Sequence, residues 1–324
     1  MKIRLGYVAI SNVLGKKVTS SSTVTFTNYN KITSEEKKLE KLKIVTSSNL
    51  NALQELLRYN IENNIHFYRI TSALIPLVTH PEVGYWGHRE IFKKDFEYIG
   101  RLIKNSNMRV DTHPDEFNVI NSNNPKVVEN TLKNLMRQVD WFEDMNYKEG
   151  KMVIHIGGAT GGKEDAIKRF IKHFNGFPKE LKEKLIIEND DRTYTAKETL
   201  NLCKTLNTPM VLDIHHHNCN NYGEDIKDIL DDILNTWENE SLPPKMHFSS
   251  PKDRSLIDKV DKRHSDFINV KDFINFIEIL KGFNKDIDIM LECKEKDVAL
   301  FKLVEDIKSI KPEYKWIDKT IFII

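Results

Sequence analysis

Residues 184–217 read KLIIENDDRTYTAKETLNLCKTLNTPMVLDIHHH, and this stretch decides the fold. It contains two short apolar runs, LIIE and MVLD, and each run ends in a carboxylate residue, Glu188 or Asp213. Between them, Ala196 and Leu200 are spaced four residues apart, which is the spacing of one face of a helix. A buried strand, a helix and a second buried strand form the βαβ unit that is typical of parallel sheets.

The same alternation continues along the chain in both directions. Apolar runs occur at 3–10, 65–71, 108–112, 151–157, 184–189, 209–214, 245–249 and 286–293, with amphipathic helical patterns between them. Eight strand–helix pairs without a break in composition predict one α/β domain over residues 1–324, a single (β/α)8 TIM barrel. A doubly wound open sheet is the alternative, but no glycine-rich phosphate-binding motif follows the first strand.

Composition narrows the class of protein. The 324 residues carry 49 Lys and Arg against 48 Asp and Glu, a net charge of +1, which excludes a histone-like nucleic-acid binder but allows a local basic groove. The three cysteines are too few and too scattered for a disulfide framework or a cysteine zinc site. We expect a cytoplasmic protein with reduced thiols, because we find neither a signal peptide nor an apolar run that could span a membrane.

Residues of the types that bind metal ions occur at the C-terminal ends of the predicted strands, where TIM barrels have their active sites. A single histidine is usually a hydrogen-bonded core or surface residue, and a single glutamate can pair with a lysine or arginine. Histidines that only pack, however, have no reason to select the same end of successive strands. Nitrogen and oxygen ligands without thiolate suit Zn²⁺, Mn²⁺ or Fe²⁺, and they predict two or three divalent ions. The residues, in strand order, are His80, His113, His155, Glu188, Asp213, His216, His247 and Glu292.

Nine motifs at these positions resemble the UV damage endonuclease family. They are LGY at 5–7, FYRITSALIPLVTHP at 67–81, THP at 112–114, VIHIGGATGGK at 153–163, IIENDDR at 186–192, VLDIHHHN at 211–218, PPKMHFSS at 243–250, HSDF at 264–267 and MLECKEK at 290–296. The family is a TIM barrel related to endonuclease IV. The resemblance implies a metal-dependent enzyme that nicks double-stranded DNA directly 5′ to cyclobutane pyrimidine dimers and 6–4 photoproducts, and at abasic sites, leaving a 3′-hydroxyl and a 5′-phosphate.

The resemblance also assigns roles to individual residues. The eight residues given above would hold two or three ions, with Mn²⁺ the first choice and Zn²⁺ or Mg²⁺ the alternatives. His264 would lie near the scissile phosphate, and Lys245 matches a lysine that is modified in the family. Four residues match lesion-contacting positions: Tyr7, Asn12 (one residue off the family spacing), Glu116 (where the family usually has Gln) and Phe117.

Basic residues in the loops after the predicted strands are the expected phosphate contacts. They are Lys16, Lys17, Lys163, Arg254, Lys262 and Arg263. Basic residues on the barrel helices are instead expected to be solvated and paired within their own helix. We expect the partner to be a duplex that contains UV lesions, bound by a monomer.

Three other functions remain open from the sequence. One is an endonuclease IV-like enzyme that acts at abasic sites alone. A metal-dependent sugar isomerase is a second, although it would need a carboxylate-dominated site. The third is a damage-binding protein without catalysis, which the full ligand set disfavours.

Overall fold

The computed structural model describes residues 1–256 and 259–324. Its ten strands form one sheet, in the order β2-β3-β4-β5-β6-β7-β8-β1-β10-β9. The strands are β1 (Lys2–Val8), β2 (Phe67–Ile70), β3 (Arg109–Thr112), β4 (Lys151–His155), β5 (Leu185–Glu188), β6 (Met210–Asp213), β7 (Lys245–Phe248), β8 (Ile287–Leu291), β9 (Lys315–Trp316) and β10 (Ile321–Ile323).

Strands β1 to β8 close into a parallel barrel, because β1 pairs with both β8 and β2. The predicted TIM barrel is therefore confirmed, and the open-sheet alternative is wrong. The sequence patterns did not predict the C-terminal hairpin of β9 and β10, whose second strand pairs antiparallel with the first residues of β1. We call the end of the barrel at the C-termini of β1–β8 the mouth and the opposite end the floor.

Helices surround the barrel and cover its apolar outer surface. Ile154, Ile187 and Leu212 point outward from β4, β5 and β6 into the main core, where they join helix residues such as Leu135 and Leu200. No helix in the described part of the chain is both long and apolar enough to cross a membrane. The helices are α1 (Phe26–Asn30), α2 (Glu35–Glu62), α3 (His88–Ile91), α4 (Lys93–Asn105), α5 (Pro125–Asp144), α6 (Lys163–Asn175), α7 (Lys179–Lys182), α8 (Ala196–Leu206), α9 (Ile214–Cys219), α10 (Leu230–Asn235), α11 (Val270–Lys281) and α12 (Lys296–Ile310).

The barrel interior is filled in its middle by apolar side chains. Val153, Ile186 and Val211 point inward and pack with Trp237, and Phe67 packs with Val8 and Met290. Gly6 is required beside Phe67, because a Cβ atom at Gly6 would lie 2.4 Å from the Phe67 carbonyl oxygen. This middle layer also contains a buried ion pair, because the Lys245 ammonium group lies 5.6 Å from the centroid of the Phe67 ring and 2.6 Å from Asp111 Oδ2.

Candidate metal centre at the barrel mouth

The alternation of side-chain direction along the strands places polar side chains at inward positions at the mouth. Alternate residues of a strand point to the same face, so the inward positions that follow Val153, Ile186 and Val211 are His155, Glu188 and Asp213. The register places neighbouring strand ends side by side: His155 pairs with Glu188, and Asp213 pairs with His247. The local sequence pattern and the barrel closure together therefore bring these side chains into one cluster.

Glu188 lies at the centre of the cluster, and its two carboxylate oxygens face different histidines. Oε1 lies 2.7 Å from His247 Nδ1 and 3.6 Å from His216 Nδ1. Oε2 lies 3.2 Å from His113 Nε2 and 3.7 Å from His155 Nε2. A carboxylate that faces two groups of histidines is suited to bridge two cations.

Two groups of residues fit the ligand shell of a metal ion. In the first group, one ligand atom from each of His113, His155 and Glu188 lies within 4.8 Å of the other two. The second group, Glu188, Asp213 and His247, meets the same distance criterion. Asp213 is fully buried, and its Oδ2 atom has no hydrogen-bond donor among the described residues. A buried carboxylate oxygen without a donor is costly unless a cation is bound, so the residues present fit divalent ions.

The electrostatics of the cluster keep its central carboxylate charged. Burial alone would raise the pKa of Glu188, but the imidazoles of His247, His155 and His113 outweigh it and hold that pKa well below its usual range. Burial lowers the pKa of His216, but the carboxylates of Asp213 and Glu188 outweigh it and raise that pKa to about 9. The cluster therefore presents an ionised carboxylate at its centre.

Glu292 and His264 extend the cluster toward the loop after β7. Glu292 Oε1 lies 3.3 Å from His247 Nδ1, and Glu292 Oε2 lies 3.9 Å from His264 Nδ1. The ring of His264 also lies 6.4 Å from that of His216, measured between centroids. These positions leave His264 at the edge of the cluster, beside a cavity of about 420 Å³ that His113, Glu188 and Glu292 also line.

Arg69 is a central residue that the sequence reasoning missed. This inward residue of β2 places Nη2 2.6 Å from Glu292 Oε1 and 2.8 Å from His247 Nε2. Burial would raise the pKa of Glu292, but Arg69 and His247 outweigh it and hold that pKa well below its usual range. An arginine inside the otherwise apolar run FYRI is the signal that could have identified it.

Two residues predicted for the site lie outside the cluster of ligands. Lys245 is fully buried one layer below, and its Nζ atom lies 2.6 Å from Asp111 Oδ2. Burial lowers the pKa of Lys245 to about 8. His80 stacks on Phe26, with 3.9 Å between ring centroids, and the structure does not bring it to the other seven predicted ligands.

The predicted lesion contacts fall into two groups by exposure. Phe117 is 62% exposed and Glu116 is exposed on the loop after β3, where Glu116 lines the mouth cavity. Asn12 is also exposed, and its side chain donates to the carbonyl of Lys294. Tyr7 is fully buried and donates from its hydroxyl to Asn60, so it makes no surface contact in this conformation.

Four of the predicted phosphate contacts are already paired with acidic side chains. Lys163 pairs with Glu198 at 2.7 Å, and Arg263 pairs with Asp261 at 2.7 Å. Lys262 Nζ lies 3.5 Å from Asp191 Oδ2, and Arg254 pairs with Asp272. These acids reduce the positive charge that each of the four residues offers to DNA. Lys16 and Lys17 are exposed, and neither forms an ion pair with another described residue.

A closed (β/α)8 barrel with a histidine and carboxylate cluster at its mouth defines a barrel enzyme whose active site is built from strand ends. The model of the family "UV-endonuclease UvdE" matches residues 3–320. The chain belongs to this family and is an endonuclease.

Individual relatives agree with the family match. A UV DNA damage endonuclease of Bacillus cereus is 35% identical over 96% of both chains, and one of Bacillus pumilus is 37% identical over 96% of both chains. The crystal structure of SacUVDE superposes with a TM-score of 0.82 at 30% identity, covering 95% of this chain and 99% of that one. Endonuclease IV of Thermus thermophilus, at 13% identity and a TM-score of 0.53 over 81% of this chain and 94% of that one, shares the fold.

Proposed function

We propose that this enzyme nicks duplex DNA immediately 5′ to cyclobutane pyrimidine dimers and 6–4 photoproducts, and at abasic sites, with two or three divalent ions. Mn²⁺ is the first choice of ion, with Zn²⁺ and Mg²⁺ as alternatives, and the products are a 3′-hydroxyl and a 5′-phosphate. The observation that carries this proposal is the position of Glu188 between two groups of ligands. We also propose that the enzyme acts as a monomer.

Different residues of the cluster have different roles in the proposed reaction. His113 and His155 with Glu188 would hold one ion, and Asp213 and His247 with Glu188 would hold another. Ions bound there would supply Lewis-acid stabilisation of the charge on a phosphate and would lower the pKa of a water molecule. Arg69 fixes the Glu292 carboxylate and the outer nitrogen of His247. His264, at the edge of the cluster, would donate a hydrogen bond to the phosphate of an entering strand.

The loop after β3 presents an apolar probe beside the mouth. Ser72 donates to Asp115 Oδ1 at 2.8 Å, and the backbone of Asn118 donates to the Asp115 carbonyl at 3.0 Å. This anchored turn leaves Phe117 62% exposed, next to Glu116, which lines the mouth cavity. We propose that Phe117 stacks in the gap left when a poorly stacked dimer leaves the duplex.

Cleavage of one defined photodimer duplex tests the proposed reaction. We expect a single nick directly 5′ to the dimer in the presence of Mn²⁺, and no cleavage after EDTA treatment followed by buffer exchange. An otherwise identical duplex with an abasic site and an undamaged duplex are the controls. Cleavage of the abasic duplex alone would support the endonuclease IV-like alternative, and cleavage that persists in EDTA would refute metal dependence.

Phe117→Ala should weaken the preference for damaged DNA. Base–aromatic stacking contributes about 1–3 kcal/mol, so the ratio of affinities for dimer and undamaged duplexes should fall roughly 5- to 150-fold. The matched control is Ile317→Ala, which removes a similarly exposed apolar side chain (55% exposed) near the floor. Fluorescence anisotropy with both duplexes measures the ratio, and an equal ratio in the two variants would remove Phe117 from the lesion site.

A further inference from the structure

We propose that Asn189 is a positioning residue of the metal centre, which holds Asp213 in place and orients His216 so that its Nε2 atom binds an ion. Asn189 directly follows Glu188 in the chain and was not among the site residues that we predicted from the sequence. The inference rests on the proposed function for the presence of the ions. It deepens that function by naming the nitrogen of His216 that binds one and the residue that holds it in position.

The side chain of Asn189 forms a reciprocal pair of hydrogen bonds with the backbone of Asp213. Its Nδ2 atom donates to the Asp213 carbonyl at 3.0 Å, and its Oδ1 atom accepts from the Asp213 amide at 2.9 Å. The register between β5 and β6 ends at Glu188 and Val211, so the side-chain amide replaces a peptide group just beyond the ladder. Asn189 is fully buried, and water therefore does not compete for these bonds. The pair fixes the distance between two neighbouring strand ends.

The position of the Asp213 backbone in turn determines where its carboxylate lies. Asp213 Oδ1 accepts from the backbone amide of His216 at 2.8 Å and so caps the first turn of α9. Asp213 Oδ2 has no donor among the described residues and is available to an ion. A shift of the Asp213 backbone would therefore move a predicted ligand oxygen and the start of α9 together.

The backbone carbonyl of Asn189 orients the ring of His216. His216 Nδ1 donates to this carbonyl at 3.0 Å, whereas the carboxylate oxygens of Glu188 and Asp213 lie farther from the same nitrogen, at 3.6 Å and 3.8 Å. In a neutral imidazole, donation from Nδ1 leaves the lone pair on Nε2, which is the usual arrangement in metal-binding histidines. Nε2 has no hydrogen-bond partner within residues 1–256 and 259–324, and His216 lines two adjoining cavities at the mouth.

The affinity for Mn²⁺ in the absence of DNA tests the positioning role. Asn189→Leu keeps nearly the same volume but removes both bonds to Asp213, and Asn189→Ala removes them without a larger side chain. Loss of a group that orients a metal ligand typically weakens binding about 10- to 100-fold, so the Kd of at least one Mn²⁺ ion should rise by that factor. The control is Asn60→Leu, which removes another fully buried asparagine, one that bonds to the Tyr7 hydroxyl at 2.8 Å. Calorimetric titration should give the wild-type Kd for this control.

NMR of the zinc-loaded protein identifies the ligand atom of His216, because Zn²⁺ is diamagnetic. With ¹⁵N-labelled histidine, we expect the wild-type His216 ring to carry a proton on Nδ1 and zinc on Nε2, and His216→Gln assigns these signals by their loss. In Asn189→Ala the Nδ1 proton should exchange faster with solvent. The wild-type spectrum tests the proposal even if neither Asn189 variant folds.

Each outcome supports or overturns the role of Asn189. Weaker Mn²⁺ binding in both Asn189 variants, with zinc on Nε2 of His216 in the wild type, supports it. Zinc on Nδ1, a wild-type Kd in the Asn189 variants, or an equal loss of affinity in Asn60→Leu overturns it. Ion binding requires no DNA, so a wild-type enzyme that binds ions in this way but does not nick dimers would refute the proposed function and leave this result standing.

Discussion

Glu188→Gln is expected to abolish both nicking and binding of at least one divalent ion. Glu188 contributes one oxygen toward His113 and His155 and the other toward His216 and His247. Glutamine keeps the shape of the side chain but loses the negative charge and one of the two acceptor oxygens. Because both groups of ligands share this residue, we expect nicking to fall by at least about 10³-fold, above the effect of removing a single transition-state donor.

Metal content separates this explanation from a general loss of structure. The purified variant, reloaded with Mn²⁺ and analysed by mass spectrometry, should hold fewer ions per chain than the wild type while its circular dichroism is unchanged. Glu240→Gln is the control, because Glu240 is a half-buried glutamate that pairs with Lys151 at 2.6 Å near the floor. A Glu188→Gln variant with full metal content and at least a tenth of wild-type nicking would remove Glu188 from the bridging position.

The clustering of the candidate metal ligands could largely be predicted, because it depends on local periodicity. His155, Glu188 and Asp213 each end an apolar run at an inward position, and closing the barrel brings such positions together regardless of the intervening loops. His80 shows the limit of this reasoning. His80 lies ten positions after Ile70, the last residue of β2. Its position depends on the conformation of the loop between them, which hydrophobic periodicity does not predict, and in the structure its ring stacks on Phe26.

Charge pairing could not be predicted in the same way, because it depends on which loops meet. Lys262 and Asp191 come from the loops after β7 and β5, and their contact depends on the geometry of both. The phosphate contacts were therefore predicted from the position of basic residues after a strand. The basic residues that pair with an acidic side chain could not be recognised in that way. Tyr7 shows the same difficulty: its position at the end of β1 is correct, but its burial against Asn60 depends on the packing of α2.

The floor of the barrel contains a second charged cluster, which could not be predicted from the sequence. Asp288, on β8, accepts from Arg4 Nε at 2.7 Å and from Arg109 Nη1 at 2.7 Å. Arg109 is 1% exposed, and its guanidinium group lies 5.2 Å from the Phe67 ring and 5.3 Å from the Trp237 ring. The strands that carry these three residues are far apart in the chain, and only closure of the barrel makes them neighbours.

Asp288→Asn should lower the free energy of unfolding by about 3–5 kcal/mol, a large part of the roughly 5–15 kcal/mol that stabilises a typical domain. Asparagine has nearly the same volume, so no cavity forms, but two buried or partly buried guanidinium groups lose their only nearby anion among the described residues. Urea unfolding in EDTA measures the effect without the added stability of bound metal.

The contrast with Asp286→Asn makes this prediction specific to burial. Asp286 lies two residues earlier and pairs with Lys2 at 3.2 Å, but both side chains are close to half exposed. Solvent screens that pair, so its loss should cost less than about 1 kcal/mol. The double variant Arg109→Met with Asp288→Asn should recover part of the lost stability, because it also removes the most deeply buried cation. If Asp288→Asn and Asp286→Asn destabilised the protein equally, the floor cluster would contribute no more than a surface ion pair.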